Sequence, residues 1–233
     1  MTLREVLAPV LVPIHRAGWP FIVGALALAV ILGLLAWQLF WLGLLLALWI
    51  TYFFRDPARV TPTGDGIVVS PADGTIVAVA PRRPPPELDL GDAPRTCISV
   101  FLNIFDVHVN RSPVSGRIAK IAYHPGKFLN AATDKASDAN ERQSFRLETD
   151  QGEVFGLVQI AGLVARRIMR FVGEGARIEA GERVGLIRFG SRCDVYLPDG
   201  VVPLVLVGQK AIAGETVFAD GRRNVAPAGG RQS

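Results

Sequence analysis

The sequence predicts a mainly β protein, a β-rich α+β chain in which a duplicated β-sandwich domain follows an N-terminal helical hairpin. Three observations predict it. Residues 19–54 run for 36 positions without Asp, Glu, Lys or Arg. Short runs rich in Val and Ile, bounded by Gly, Pro, Asp and Asn, fill the chain after Arg55. Two patterns then occur twice each, Ser-Pro-x-x-Gly-x-Ile at Ser70 and Ser112 and Ala-Gly-Glu-x-Val at Ala180 and Ala213.

The uncharged run comes first. One helix of that length would measure about 54 Å, nearly twice the roughly 30 Å of a bilayer's hydrocarbon core. Two helices of about 17 residues fit better. Trp37-Gln-Leu-Phe-Trp41 lies near the middle, an interface-like cluster where the turn can fall, and all four tryptophans of the chain lie within the run. Arg4, His15 and Arg16 precede it; Arg55 and Arg59 follow it. Basic residues at both ends place both ends on one side, the cytoplasm. The segment reads as a retained anchor, because its apolar run is too long for a cleaved signal peptide and no small-residue exit site follows. A buried core pair is the competing reading, and 36 uncharged residues exceed what a small domain covers.

Strands are expected at 67–70, 75–79, 97–102, 117–121 and 154–160. Pro81 to Pro94, with five prolines, and the polar stretch Ala131 to Ser144 are expected to be loops. The two repeated patterns imply related β units about a pseudo-twofold axis. The Ala-Gly-Glu-x-Val hairpins resemble those of biotinyl and lipoyl carriers, implying a lipoyl-like barrel-sandwich. Those carriers use a Met-Lys-Met hairpin, and no Met-Lys dipeptide occurs here. The expected domains are therefore a cytoplasmic segment 1–18, a membrane hairpin 19–54, a catalytic domain 55–219 and a disordered tail 220–233.

A chain of 233 residues suits one substantial domain plus this element. The net charge of +4 suits anionic lipid or nucleic acid. No aromatic-interleaved basic stripe or zinc-ligand spacing favours nucleic acid, so lipid is preferred. Cys97 and Cys193 form no CxxC pair and imply a reducing compartment.

Chemistry concentrates at Ile187-Arg-Phe-Gly-Ser-Arg192. Glycine before Ser191 leaves the preceding carbonyl open and frees the backbone angles. Attack by the serine oxygen on that carbonyl exchanges amide for ester. Elimination across Cα–Cβ of Ser191 releases the Gly190 carboxylate and leaves dehydroalanine, and hydrolysis yields a pyruvoyl group and ammonia. A Gly-Ser dipeptide in an ordinary turn reads the same way, so the dipeptide does not establish this.

The hexapeptide resembles the processing motif of phosphatidylserine decarboxylases of the short bacterial and archaeal form. Four further blocks resemble the same family: Ser70–Gly74; Phe105-Asp-Val-His-Val-Asn-Arg-Ser-Pro113; His124–Phe128 with Asp134-Lys-Ala-Ser and Asn140-Glu-Arg142; and Gln159–Arg167. The resemblance runs in order from Arg55 to Ala219. It implies autocatalytic cleavage at Gly190–Ser191 into fragments 1–190 and 191–233, which remain a heterodimer and form a homo-oligomer of that pair. It also implies a covalent pyruvoyl group from Ser191, with no metal and no pyridoxal phosphate. That ketone forms a Schiff base with the serine amine of the lipid and accepts the electrons left by CO₂. The product is phosphatidylethanolamine, made at the cytoplasmic side of the cell membrane.

By the same resemblance Asp73 orients a base for the serine hydroxyl, as in a Ser-His-Asp arrangement, and His108 is its partner. A turn Asp in Ala-Asp-Gly is the plain structural reading of Asp73, and a core histidine that of His108. The longer enzymes carry a second histidine three residues on, where this chain has Arg111, which is no base near neutral pH. They also have Leu or Gly at Phe189 and Thr at Arg192. Either His108 does both jobs or another group activates Ser191; His124 is a weaker candidate. Lys127, Arg142, Arg166 and Arg167 are candidate contacts for lipid phosphate or carboxylate by charge, against a reading as solvated charges. Cys193 shares a strand face with Ser191 and reads as core packing.

Three other functions stay open at this point. One is decarboxylation of an archaeal-type seryl ether lipid, whose headgroup is identical. Another is a non-enzymatic membrane-anchored lipoyl-like adaptor, disfavoured by the lack of heptads. The third is a soluble pyruvoyl amino-acid decarboxylase, disfavoured by the apolar run.

Overall fold

The uncharged run folds as two helices of 17 residues, α1 (Trp19–Leu35) and α2 (Trp37–Phe53), broken only at Ala36, whose backbone is extended. The turn therefore precedes Trp37, and the Trp37–Trp41 cluster forms the first turn of α2 rather than the bend. Small residues let the helices approach closely. A Cβ on Gly43 would lie 2.6 Å from Ala29 Cα, and Gly33 and Gly18 back onto Phe40 and Phe54. The open ends are tied by a bridge between Ile14 and Arg55 and by the His15 amide donating to Phe54 O at 2.8 Å. Arg55 lies 3.8 Å over the Tyr52 ring. Residues Arg16–Leu35 make one helical stretch long and apolar enough to cross a membrane; α2 is shorter.

The computed structural model describes residues 12–128, 139–162, 167–188 and 190–221. It divides into two units, Met1–Ala58 and Arg59–Ser233. Residues 1–11 of the N-terminal segment, most of the 131–144 stretch, Arg166, Phe189 and residues 222–233 of the tail lie outside the described residues.

The second unit is mainly β. Its strands are β1 (Ile67–Val69), β2 (Gly74–Arg82), β3 (Arg95–Leu102), β4 (Val109–Arg111), β5 (Gly116–His124), β6 (Arg142–Glu148), β7 (Val154–Ala161), β8 (Ile168–Arg170), β9 (Arg177–Ile178), β10 (Arg183–Ile187), β11 (Ser191–Tyr196), β12 (Lys210–Ala211) and β13 (Val217–Asp220). Eight form one curled antiparallel sheet in the order β12-β2-β3-β11-β7-β6-β5-β9. Two smaller sheets, β4-β10-β8 and β1-β13, complete the unit. All five expected strands are present. The loop expectations end short of the strands on either side: Pro81 and Arg82 extend β2, and Arg142 to Ser144 begin β6, because both segments find ladder partners.

Alternation sets the layers. On β11, Cys193 and Val195 enter the main core with Ile98, Phe145 and Leu157, while Tyr196 joins Leu88 and Leu90 in a smaller cluster on the other face. The Pro-rich connection is thus anchored to the sheet. Leu88 and Leu90 press where a Cβ on Gly156 would stand, and Glu87 pairs with Arg142 at 2.6 Å.

The repeated patterns make matching bonds. Ser70 Oγ donates to Ala72 O and Ser112 Oγ to Val114 O, each at 2.7 Å. The Gly214 amide reaches Ser70 O and the Gly181 amide reaches Ser112 O, each at 2.8 Å. Each half then closes on the other: the Val69 amide donates to Pro113 O and the Arg111 amide to Pro71 O, both at 2.8 Å.

The glycines ending the Ser-Pro motifs, Gly74 and Gly116, each lie against a carbonyl oxygen of the neighbouring strand. Gly116, at φ +155°, faces the Glu148 carbonyl oxygen, which any Cβ would overlap. Gly116→Ala is expected to cost about 3 kcal/mol from backbone strain plus overlap. Gly152→Ala, also at positive φ but with open space around it, is expected to cost only about 1 kcal/mol. Thermal unfolding of both variants in detergent checks the difference, and equal losses would refute the packing explanation.

Candidate active site

Ser191 is the first residue of β11, which runs between β3 and β7, and it stands opposite Leu102 and Ala161. Period-two alternation turns its side chain to the inner face with Cys193. The residue is fully buried, and its Oγ has no hydrogen-bond partner among the described residues. A buried hydroxyl without a partner is costly and marks a group kept for a reaction or a ligand. Gly190 precedes it at φ +70°, with nothing within 4 Å of where a Cβ would lie. Only glycine takes this left-handed conformation without penalty.

His108 is fully buried just before β4. Its Nε2 lies 3.4 Å from the Gly190 amide, which donates to it, and its Nδ1 lies 2.9 Å from the Asp106 main-chain oxygen. One tautomer satisfies both contacts, with Nδ1–H donating to Asp106 O and the Nε2 lone pair facing the residue before Ser191. The Nδ1 partner is thus a main-chain carbonyl where the Ser-His-Asp comparison led one to expect a carboxylate.

Asp73 ends the first Ser-Pro motif. Its Oδ1 accepts the Ala213 amide at 2.8 Å and its Oδ2 accepts Arg59 Nη2 at 2.7 Å. Burial pushes its carboxyl above the usual range, against the pull of the Ala213 amide and Arg59, and the nearby Asp106 charge adds to the rise. Arg59 was legible only as a flanking charge of the apolar run, since its partner lies 14 residues away across a turn.

Arg111 takes no part as a base. It is buried and donates to Gly181 O at 2.7 Å, holding the repeat framework. His124 is exposed at the end of β5. Burial pushes the Cys193 thiol far up, so it stays protonated in the core.

The candidate anion contacts separate. Lys127 is exposed at a bridge to Asn140. Arg142 is buried, with its guanidinium held by Glu87 at 2.6 and 3.2 Å. Arg167 is exposed beside the end of β10, where its carbonyl accepts the Arg188 amide at 3.3 Å. Burial, and after it the Arg167 charge, lowers the Arg188 pKa. Arg188 lay inside the processing motif but carried no sequence signal of its own. Ser191 fits a pyruvoyl origin: the site provides a hydroxyl without a partner, a preceding glycine with open space at its Cβ position and an imidazole acceptor on that glycine's amide.

The family model described as phosphatidylserine decarboxylase matches residues 46–219. The phosphatidylserine decarboxylase proenzyme of Paramagnetospirillum magneticum is 60% identical over 209 residues, covering 89% of this chain and 87% of the relative. With that coverage, this chain belongs to the phosphatidylserine decarboxylase family.

Proposed function

We propose that the chain cuts itself between Gly190 and Ser191 and then decarboxylates phosphatidylserine to phosphatidylethanolamine and CO₂. The observation that carries this is the buried, unpartnered Ser191 Oγ behind a left-handed glycine whose amide binds His108 Nε2. His108 takes the hydroxyl proton as Ser191 Oγ attacks the Gly190 carbonyl, and the amide becomes an ester. Loss of the Ser191 Cα proton expels the Gly190 carboxylate, and water replaces the enamine nitrogen, releasing ammonia. The pyruvoyl group so formed supplies a ketone that condenses with the lipid amine and takes up the electron pair left by CO₂. His108 is then placed to return a proton to the substrate carbon. Asp73, held by Arg59, supports that imidazole electrostatically. Arg167 and Arg188, with Arg166 and Lys127 as further candidates, meet the lipid phosphate. Arg142 is committed to Glu87 and is assigned to the framework.

We assign the framework to a duplicated, lipoyl-like barrel-sandwich, on the matched hydrogen bonds of the two halves. The hairpin anchors the enzyme at the cytoplasmic face of the cell membrane, where the headgroup of a diacyl lipid lies. The turn Asn103–Asp106, next to His108, exposes Ile104 (41%) and Phe105 (57%), which suits a site that opens on lipid.

Intact mass spectrometry of the wild-type protein is expected to give two pieces meeting at 190/191, the smaller beginning with a ketone and lacking a free amine. Ser191→Ala is expected to stay as one chain. A folded wild-type protein that remains whole would remove the mechanism.

The raised Asp73 pKa sets a pH limit. Its carboxylate is lost as pH falls through a range above that of ordinary carboxylates, so self-cleavage slows there. Arg59→Gln removes a charge that lowers this pKa. Its acid limb is therefore expected to move to higher pH, with cleavage about tenfold slower near neutrality. Time courses of fragment formation across pH check this, and an unmoved limb would separate Arg59 from processing.

A further inference from the structure

Ser191 Oγ is not the sole buried polar atom on a fully buried residue here that lacks a partner among the described residues. The others are Asn110 Nδ2 and Gln159 Oε1. The two amides bind each other, Gln159 Nε2 donating to Asn110 Oδ1 at 2.7 Å. Gln159 stands opposite Cys193 on the large sheet, one inward-facing position beyond Ser191. Asn110 lies two residues after His108 on the small sheet, opposite Gly185. Gly185 leaves room for the pair: a Cβ there would come within 2.8 Å of the Gln159 amide. The two amides thus bridge the sheets directly behind the serine and the histidine.

If both amides are turned together, so that their mutual bond is kept, one donor and one acceptor still remain. Interiors rarely retain such groups unless something binds them. We propose that the Asn110–Gln159 pair is the subsite for the amino-acid part of the serine headgroup, the free N–H donating to its carboxylate and the free carbonyl accepting from its amine. This rests on the pyruvoyl reading of Ser191.

The neutrality of the pair suits the reaction. A guanidinium on the departing carboxylate would stabilise the ground state and oppose loss of CO₂, because only interactions stronger in the transition state help. A neutral amide orients the carboxylate without that penalty. Arg167 and Arg188, linked by the Arg188 amide donating to the Arg167 carbonyl, are assigned to the phosphate, which does not react. The site thereby separates the two anions of one substrate by the charge of their partners.

The test compares capture of two lipids on the self-processed full chain in detergent micelles. Phosphatidylserine and phosphatidylethanolamine both carry the primary amine, but only the first carries the carboxylate. Cyanoborohydride fixes either lipid to fragment 191–233, and mass spectrometry counts the adduct. Gln159→Glu, which keeps the shape and adds a charge repelling the carboxylate, is expected to lower phosphatidylserine capture at least tenfold relative to phosphatidylethanolamine. The double variant Asn110→Leu with Gln159→Met, which removes every polar atom of the pair, is expected to lose the same preference. In both, the ketone-bearing fragment is expected as in the wild type, which reports folding and processing independently of lipid. Equal falls for both lipids, or none for either, would overturn the subsite and leave the pair as packing. If the double variant stays uncut, Gln159→Glu alone decides, and an uncut Gln159→Glu would also overturn the subsite by assigning the pair to processing. A wild-type protein that captures neither lipid, or lacks the ketone, would overturn the pyruvoyl reading and the subsite together.

Discussion

The ladder that ties β11 to β3 on one side and β7 on the other is the interaction on which the rest depends. All six residues from Ser191 to Tyr196 have partners on both neighbours. On the proposed cut between Gly190 and Ser191 the new end must be kept in place afterwards, and a central strand does this better than any loop. Ser191 lies at the very start of that strand, so its proposed conversion to a pyruvoyl group takes at most its own amide from the ladder. β12 and β13 belong to the same fragment and pair with β2 and β1, so the small piece is woven into the large one at three places.

The other face of β11 carries a second constraint. Arg192 and Asp194 are both about 1% exposed and pair at 2.6 and 2.9 Å, with Ser99 Oγ accepting from the same guanidinium at 3.0 Å. A buried ion pair seldom adds net stability, because desolvation consumes most of the attraction. Losing one partner is another matter, leaving an uncompensated charge at a cost of about 3–5 kcal/mol. The pair therefore fixes register: a one-residue slip of β11 would turn both charges into the apolar core and Ser191 out of the site. Arg192 stands next to the pyruvoyl position, where the longer relatives have threonine, and its role here is that of a lock on the opposite face.

Much of this was readable in the sequence, for identifiable reasons. The hairpin was legible because 36 uncharged residues have few ways to hide, although the exact break at Ala36 was not, since an extended alanine carries no local signature. The duplication was legible because each half needs glycine at the same left-handed corner. Ser191 and His108 entered as candidates through family blocks, and their shared neighbour, the Gly190 amide, became visible only in the fold. Arg142 was read as a ligand for an anion, yet it serves Glu87, 55 positions earlier in the chain; charge alone does not reveal a partner brought close by folding. Arg59 went unseen for the same reason, and Gln159 entered only as the first letter of a block. Pairs made across sheets are the class of information that local pattern lacks.

The duplication supplies its own control on Asp73. Ser115 occupies the same place in the second Ser-Pro motif, and its Oγ accepts the Ala180 amide at 2.9 Å as Asp73 Oδ1 accepts that of Ala213. A neutral hydroxyl therefore suffices for the turn, and the charge of Asp73, with the second oxygen that takes Arg59, exceeds what the fold requires. The comparison extends along the repeat. Gly66 stands where the first pole has His108, and Glu153, just before β7, stands where it has Ser191. A cavity of about 470 Å³ lined by Gly66, Ser115, Glu153 and Glu179 occupies this second pole. Two corners of one framework thus have similar backbones and different chemistry. The three candidate groups, His108, Asp73 and Ser191, are all replaced at the other corner, so the fold itself does not demand them.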